Sequence, residues 1–145
     1  MEKNDPLKLD NQLCFPLYAA SKELIRHYKP ILDNYDLTYT QYITMLVLWE
    51  NKTITIKELG KKLYLDSGTL TPLVKKLVTK GYVTKKRDDK DERNLIVSIT
   101  KKGLELKDKI KDVPNKMSCC VNLNKEESIE LYQLLQKMLK NWDDK

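Results

Sequence analysis

Three cysteines are the residues of this sequence whose side chains could carry covalent chemistry. Cys14 lies in an apolar context, and Cys119 and Cys120 are adjacent to each other. A free cysteine among apolar residues is commonly a small buried hydrophobe, whereas a reactive thiol needs thiolate character, solvent access and hydrogen-bond donors. The sequence leaves both interpretations open for each cysteine. A disulfide between the two adjacent residues would be strained.

Other reactive or metal-binding side chains are scarce. His27 is the single histidine, and the cysteines lack the spacing of zinc ligands. The sequence contains neither a glycine-rich phosphate loop nor a nucleophile elbow. A thiol peroxidase is the one catalytic interpretation left, but Cys14 has no basic neighbour in the sequence. We therefore predict a protein that is not an enzyme and that uses no metal and no cofactor.

Positive charge is concentrated in the middle of the 145-residue chain. Residues 57–111 hold 16 Lys and Arg against 8 Asp and Glu, a net charge of +8, although the whole chain carries only +6. The segments 1–56 and 112–145 each have a net charge of −1. A polyanionic partner explains this localisation better than a merely solvated basic face does.

Residues 55–83, within that basic region, predict two short helices, a tight connection and a following strand. Asp66 begins a cluster of N-cap and turn residues, and Gly81 stands where a helix C-terminus would place a glycine. The second helix is typical of a recognition helix, because hydroxyls near its start can reach base edges and lysines further along can reach phosphates. A helical hairpin with a solvated lysine face would show the same pattern. The candidate DNA contacts are Ser67, Thr69, Thr71, Lys75 and Lys76.

A charged β-hairpin is predicted directly after these helices. Residues 82–87 and 95–99 predict its strands, and the loop between them is rich in charge. A helix-turn-helix followed by a basic hairpin defines a winged helix, so we favour DNA contact over simple solvation of the loop. The candidate contacts in this wing are Lys86, Arg87, Lys90, Asp91 and Arg93.

Helices are also predicted before the winged helix. One covers about residues 9–28, where Pro16 would produce a kink or a later start. Pro30 predicts a break, followed by a short helix. The next helix is apolar on nearly all sides and is capped by Thr38 or Thr40, so we expect it to be central and buried.

Two further helices are predicted after the wing. Thr100 would cap the first, which runs from Lys101 towards Asp112 and stops near Pro114, and Asn124 with Glu127 would form a capping box at the start of the second. The first and last helices of the chain carry more apolar surface than a small winged-helix core needs. Dimerisation through them would bury it.

The predicted fold is one domain over residues 1–145, mainly α-helical with a small β-hairpin wing. About 36–112 form the winged helix-turn-helix, and about 9–35 and 113–145 supply dimerisation helices. The apolar runs fall short of the ~20 residues that a membrane span needs. We therefore expect a cytoplasmic protein with no membrane partner.

A family signature lies at and after the wing. Its D-x-R element and the later T-x-x-G element resemble the D-x-R…L-T-x-x-G pattern of MarR-type winged-helix repressors. In that family the arginine enters the minor groove and the aspartate helps to hold it. Four more stretches resemble the OhrR subgroup, the organic hydroperoxide sensors, and SarZ-type thiol regulators share much of this pattern. The segments that carry the resemblance are 91–93, 95–103, 11–15, 28–30, 37–42 and 65–73.

The resemblance implies a homodimer that binds an inverted-repeat operator on double-stranded DNA. It implies release of the operator when an organic hydroperoxide oxidises Cys14, whose thiolate would accept hydrogen bonds from Tyr28 and Tyr39. Some members of the group carry a second cysteine that resolves the oxidised sensor into a disulfide, here Cys119 or Cys120. Others depend on a small thiol, and the sequence does not distinguish the two types.

Two other functions stay open at this point. A MarR-type repressor could bind a small aromatic or phenolic ligand in a pocket lined by its aromatic side chains, with Cys14 as core packing. An all-helical interaction module that does not bind DNA would be the third, and the +8 segment argues against it.

The spacing of the predicted sensor residues adds a geometric condition. If residues 14–28 form one helix, Cys14 and Tyr28 are about 21 Å apart along its axis. A bond between them would then have to cross a dimer interface between antiparallel copies of the first helix.

Overall fold

A computed structural model describes residues 4–143 as a mainly helical protein with one small sheet, which confirms the predicted winged-helix fold class. Short 3₁₀ turns precede and follow the first helix, at Leu9–Asn11 and Asp33–Tyr35. Over the described range, no helix is both long and apolar enough to cross a membrane. The elements are α1 (Cys14–Leu32), α2 (Tyr39–Asn51), β1 (Thr53–Thr55), α3 (Ile56–Leu63), α4 (Ser67–Thr79), β2 (Val83–Arg87), β3 (Leu95–Ile99), α5 (Lys101–Lys109), α6 (Val113–Ser118) and α7 (Lys125–Asp143).

Helix α1 starts later and ends later than the sequence predicts. It begins at Cys14, so Pro16 lies in the first turn, where a missing N–H costs no helical hydrogen bond. The break predicted at Pro30 is wrong, because the helix continues to Leu32. So near the helix end, Pro30 removes only one backbone hydrogen bond. The short helix expected after it is a 3₁₀ turn. An unbroken α1 of 19 residues results.

Helix α2 forms the centre of the core, as its apolar pattern predicts. Thr38 rather than Thr40 caps it through a capping box: Thr38 Oγ1 accepts from the Gln41 N–H at 3.2 Å, and Gln41 Oε1 accepts from the Thr38 N–H at 3.1 Å. Met45 and Leu48 on this helix have no exposed surface. The start of α2 is therefore fixed by its own side chains, and its body by burial.

Helices α3 and α4 form the predicted helix-turn-helix. Asp66 caps α4, because its carboxylate accepts the Thr69 N–H at 2.7 Å. Gly81 follows the helix with a φ of 82°, and the Tyr82 N–H closes the turn by donating to the Leu77 carbonyl at 3.1 Å. Both ends of the second helix are thus set by the residues that the sequence singles out.

The wing strands are confirmed, and a third strand joins them. The antiparallel sheet has the order β1-β3-β2, so Ile54 of β1 and Lys85 of β2 both pair with Val97 of β3. Strand β1 was not predicted because three residues are too few to show a period of two. It fastens the wing to the chain segment that enters α3.

The segment after the wing contains a helix that the sequence did not predict. Helix α5 ends at Lys109, short of the predicted end near Asp112, and Pro114 lies in the first turn of α6. Proline is tolerated there because the first N–H groups of a helix have no intrahelical partner. Val113 of α6 is fully buried, and α6 packs against α1.

Helix α7 is held at both ends and exposed between them. Asn124 and Glu127 form the predicted capping box, with bonds of 2.8 and 3.0 Å. At the other end, the Tyr64 hydroxyl donates to the Asp143 carboxylate at 2.5 Å. The structure describes all of α7, and none of its residues is buried. Helices α1 and α7, together with Leu13 directly before α1, expose large apolar side chains. These are Leu13, Phe15, Leu17, Tyr18, Ile25, Ile129, Leu131, Tyr132, Leu134, Met138 and Trp142.

Close packing between α5 and the wing requires glycine at position 103. The indole N–H of Trp49 donates to the Gly103 carbonyl at 2.8 Å. A Cβ on Gly103 would lie 2.3 Å from the Tyr82 carbonyl oxygen and 2.7 Å from the Ile99 side chain. This contact gives a physical reason for the last position of the T-x-x-G element.

Gly103→Ala should therefore destabilise the fold by about 2 kcal/mol or more, because backbone must move to admit the methyl group. Gly68→Ala is the matched control, since its added Cβ would meet only the Asp66 carboxylate at 3.7 Å. That control should stabilise the fold by up to ~1 kcal/mol. Urea unfolding of both variants measures the difference, and equal effects would contradict the packing argument.

Candidate functional site

Cys14 is the first residue of α1 and is exposed in the single chain. Exposure gives an oxidant access to the sulfur. Within the described residues 4–143, Cys14 is therefore not part of the core of its own chain.

Three tyrosines cluster at the other end of α1. The ring centroid of Tyr28 lies 4.8 Å from that of Tyr39 and 5.9 Å from that of Tyr42. Burial raises the pKa of Tyr28, Tyr39 and Tyr42 above the usual value of 10.0, and the neighbouring phenols add to the shift at Tyr28 and Tyr42. The phenols consequently stay protonated at neutral pH and can donate hydrogen bonds.

The structure does not bring Cys14 and this cluster together within one chain. Helix α1 is unbroken from Cys14 through Tyr28, so the two are about 21 Å apart along its axis. The ring of Tyr39 packs at a tilt against that of Tyr28, so Tyr39 is also remote from Cys14. Antiparallel pairing of two α1 helices would place the cysteine of each chain beside the tyrosines of the other.

Cys119 and Cys120 directly follow α6, and both are exposed free thiols. Cys119 Sγ makes only a weak contact, at 3.9 Å, with the Asn115 carbonyl oxygen. Helix α6, which directly precedes the pair, packs against α1. Which of the two would resolve an oxidised Cys14 stays a prediction.

The predicted recognition helix presents its candidate residues to solvent. Ser67, Thr69 and Thr71 are exposed on its first turns, and Lys75 and Lys76 are exposed further along. The Thr71 hydroxyl donates to the Ser67 carbonyl at 2.8 Å, which leaves its oxygen as an acceptor. All five side chains are thus accessible to solvent.

Lysines of α3 add to these candidate contacts, and the sequence analysis missed them. Lys57 and Lys61 are exposed, and with Ser67 and Thr71 of α4 and Arg93 of the wing they line one surface cleft. The first helix of a helix-turn-helix crosses the DNA backbone, where lysines can contact phosphates. Their i, i+4 spacing on the first helix was the signal that could have found them.

The wing holds an arginine out into solvent. Arg93 has 93% of its side chain exposed, and its Nε lies 3.4 Å from the Asp91 carboxylate. The Arg93 backbone N–H donates to the same carboxylate at 3.1 Å, so Asp91 orders the loop around Arg93. Lys90 is exposed on the same loop, and its N–H donates to Asp88 at 3.0 Å.

The last two candidates lie where β2 enters that loop. Lys86 and Arg87 are both exposed. The Arg87 guanidinium donates to the Glu92 carbonyl at 2.8 Å, so Arg87 braces the loop from the strand side.

A helix-turn-helix with exposed lysines on both helices, followed by a hairpin with an exposed arginine, defines a winged-helix DNA-binding protein. A family profile described as transcriptional regulator SarA/Rot matches residues 26–110, more than half of the chain. The organic hydroperoxide resistance transcriptional regulator of Bacillus subtilis is 47% identical over 132 residues, which are 91% of this chain and 88% of that protein.

The regulator SarZ of Staphylococcus saprophyticus is 42% identical over 139 residues, with 96% of this chain and 94% of that protein covered. The chain therefore belongs to the MarR family of winged-helix transcriptional regulators, in the group that contains OhrR and SarZ. Among solved structures, reduced AbfR bound to DNA superposes with a TM-score of 0.77 at 34% identity, covering 92% of this chain and 93% of that one. AbfR, a Staphylococcus epidermidis protein, is also known in overoxidized and disulfide-formed states.

The raised tyrosine pKa values predict how stability changes in alkali. A phenol whose pKa is raised by folding favours the folded state below the unfolded-state pKa, and that contribution is lost as the pH rises through the folded-state value. The free energy of unfolding should thus decline above pH ~10, and Tyr39→Phe should decline less steeply than wild type. Urea unfolding between about pH 9 and 11 measures both slopes. Parallel curves would show that Tyr39 ionises equally easily in both states.

Proposed function

We propose that this protein is a homodimeric transcriptional repressor that binds an inverted-repeat operator and releases it when an organic hydroperoxide oxidises Cys14. The observation that carries the proposal is the exposed thiol at one end of α1 with the protonated tyrosine cluster at the other. The relatedness to an organic hydroperoxide resistance regulator supports the choice of oxidant. As a regulator of transcription it would act in the cytoplasm, and not as an enzyme.

The proposed dimer uses residues of about 9–35 and 113–145. Helices α1 and α7 expose large apolar side chains that the single chain leaves uncovered. Two α1 helices packed antiparallel would bury part of this surface and would bring Cys14 to Tyr28 and Tyr39 of the other chain. The same contact would thus stabilise the dimer and complete the sensor.

The proposed chemistry begins with the Cys14 thiolate. Its sulfur attacks an oxygen of the hydroperoxide, the O–O bond breaks, and an alcohol leaves after taking up a proton, so that the thiol becomes a sulfenic acid and the peroxide is reduced. The thiolate of Cys119, of Cys120 or of a small thiol then attacks the sulfenic sulfur, which forms a disulfide and releases water. The disulfide-formed state of the relative AbfR supports the second step.

Oxidation would release DNA by disturbing the dimer interface. The sulfenic acid has lost the thiolate charge, and the tyrosine hydroxyls lose their acceptor. Repacking there would change the spacing of two recognition helices, which must match successive major grooves about 34 Å apart. A loss of ~3 kcal/mol in specific binding would weaken the complex more than a hundredfold.

An aromatic ligand as inducer is the less supported alternative. Tyr28, Tyr39 and Tyr42 pack on one another, and Tyr42 also makes an edge contact with Trp49 at 6.5 Å. Because these rings pack against one another, they leave little room for a ligand between them. The exposed thiol is therefore the better candidate for the inducer site.

Cys14→Ser should bind operator with wild-type affinity and keep it after treatment with cumene hydroperoxide, because a hydroxyl is not oxidised under these conditions. A labelled duplex selected by the reduced protein from a random-sequence pool serves as operator, and fluorescence anisotropy measures its affinity. Cys119→Ser and Cys120→Ser are the controls, and mass spectrometry of each oxidised variant identifies the resolving thiol. Release of the duplex by oxidised Cys14→Ser would disprove the sensor role.

Arg93→Ala should cost about 1–3 kcal/mol of affinity for the selected duplex, because an arginine in a narrow minor groove gains from the negative potential there. Lys90→Ala is the matched control in the same loop and should cost less. Equal losses in the two variants would count against the assigned role of Arg93.

A further inference from the structure

The recognition helix ends in a residue whose side chain is turned into the protein. Lys80 is the C-cap of α4, and the sequence places it on the same polar face as Lys75 and Lys76. Only 25% of its side chain is exposed, whereas the other two lysines are exposed. Its ammonium group is directed towards the start of α2 rather than towards a DNA surface.

Lys80 shares a buried oxygen with the cap of α2. Its Nζ donates to Gln41 Oε1 at 3.0 Å and to the Asp36 carbonyl, and the Asp36 carboxylate lies 3.6 Å away. Gln41 is 3% exposed, and the same Oε1 accepts the Thr38 N–H of the capping box. One side-chain oxygen therefore connects the first turn of α2 with the end of the recognition helix.

Side chains at the start of α5 bind the backbone at the same end of α4. Lys102 Nζ donates to the Lys80 carbonyl at 2.8 Å, and the Thr100 hydroxyl donates to the Gly81 carbonyl at 2.6 Å. The two attachments therefore differ in kind. Helix α5 bonds to backbone carbonyls at the helix end, whereas the polar attachment to α2 is made by the Lys80 side chain, beside the core packing that α2 and α4 share.

The attachment to α2 lies next to the tyrosine cluster. Tyr39 is the first residue of α2, between Thr38 and Gln41, and its ring packs at a tilt against that of Tyr28. A shift of the α2 backbone at Tyr39 would move the first turn of this helix as a unit, because helical bonds and the capping box hold the turn together. Gln41 Oε1 would move with it and would pull on, or release, Lys80.

Resting on the proposed function, we propose that Lys80 is a positioning residue that transmits the state of the tyrosine cluster to the recognition helix. Its bonds to Gln41 and Asp36 hold α4 in the orientation that binds operator while the sensor is reduced. When Tyr39 repacks after oxidation, the bonds no longer hold that orientation. Lys80 thus contributes to the coupling between the two sites rather than to DNA contact.

The test compares operator affinity before and after oxidation with cumene hydroperoxide. In wild type, oxidation should weaken binding to the selected duplex about a hundredfold or more. In Lys80→Met, which keeps the aliphatic stem and loses the donors, the ratio of oxidised to reduced dissociation constants should fall to about tenfold or less. Dimedone labelling of Cys14 should proceed at the wild-type rate, because the sensor itself is unchanged.

Two matched variants separate coupling from stability and from DNA contact. Gln41→Glu retains an oxygen that can accept both the Thr38 N–H and the Lys80 ammonium group, so its ratio should stay within about threefold of wild type. Lys76→Met removes an exposed lysine from the preceding turn of the same helix. It should weaken reduced and oxidised complexes equally and leave the ratio unchanged.

The outcomes distinguish this inference from the function on which it rests. A wild-type protein that keeps its operator after oxidation would overturn both. A wild-type response with an undiminished ratio in Lys80→Met would overturn the inference alone, as would an equal fall in the ratio for Lys76→Met. Thermal unfolding checks that each variant is folded, and Lys80→Ala replaces Lys80→Met if the latter is not.

Discussion

The distance between the two ends of one helix is the constraint on which the rest of this structure depends. Helix α1 carries the thiol at its first residue and the tyrosine cluster near its last turn, and its 19 residues run without a break. About 21 Å of helix separates Cys14 from Tyr28, so one chain cannot complete the proposed sensor by itself. In the proposed dimer, the contact that buries the apolar side chains exposed on α1 and α7 would also join the two halves of the sensor. Dimerisation and sensing would then be one structural event.

The DNA-facing half of the chain is built as a rigid unit around α2. Burial of Met45 and Leu48 fixes the helix body, and the Thr38–Gln41 capping box fixes its first turn. The recognition helix is attached to that turn by one lysine side chain and to α5 by backbone carbonyls. In the proposed coupling, a rearrangement at the start of α2 would reach the DNA surface through these short, directed bonds, beside the close-packed core that α2 and α4 share.

Sequence reasoning succeeded where a single side chain decides a local geometry. Asp66, Gly81 and Asn124 each mark a helix end because capping oxygens and a positive φ have few alternatives. It failed where tertiary context decides. Strand β1 is too short to show a pattern. Pro114, in the first turn of α6, fits the end of the preceding helix as well as the start of a new one. The wing and recognition-helix candidates were chosen from their positions in the motif, and the structure leaves them exposed. Lys57 and Lys61 were missed although their i, i+4 spacing was visible, because the cleft that they share with Arg93 appears only in the fold. The partial burial of Lys80 was equally hidden, because a polar pattern does not show burial.

The most direct test of the account asks whether thiol and tyrosine act across the dimer. The first heterodimer combines a Cys14→Ser chain with a Tyr28→Phe chain. If the contact is between chains, its remaining Cys14 still meets an intact Tyr28. The second heterodimer combines a wild-type chain with a Cys14→Ser/Tyr28→Phe chain, and its remaining Cys14 then meets no Tyr28 across the interface. The account predicts that the remaining Cys14 in the first heterodimer, when its Tyr28 comes from the other chain, forms sulfenic acid at the wild-type rate. In the second heterodimer the remaining Cys14 should react as slowly as in the Tyr28→Phe homodimer, because its thiolate lacks the hydrogen bond from the Tyr28 hydroxyl. The reverse order of rates would contradict the account.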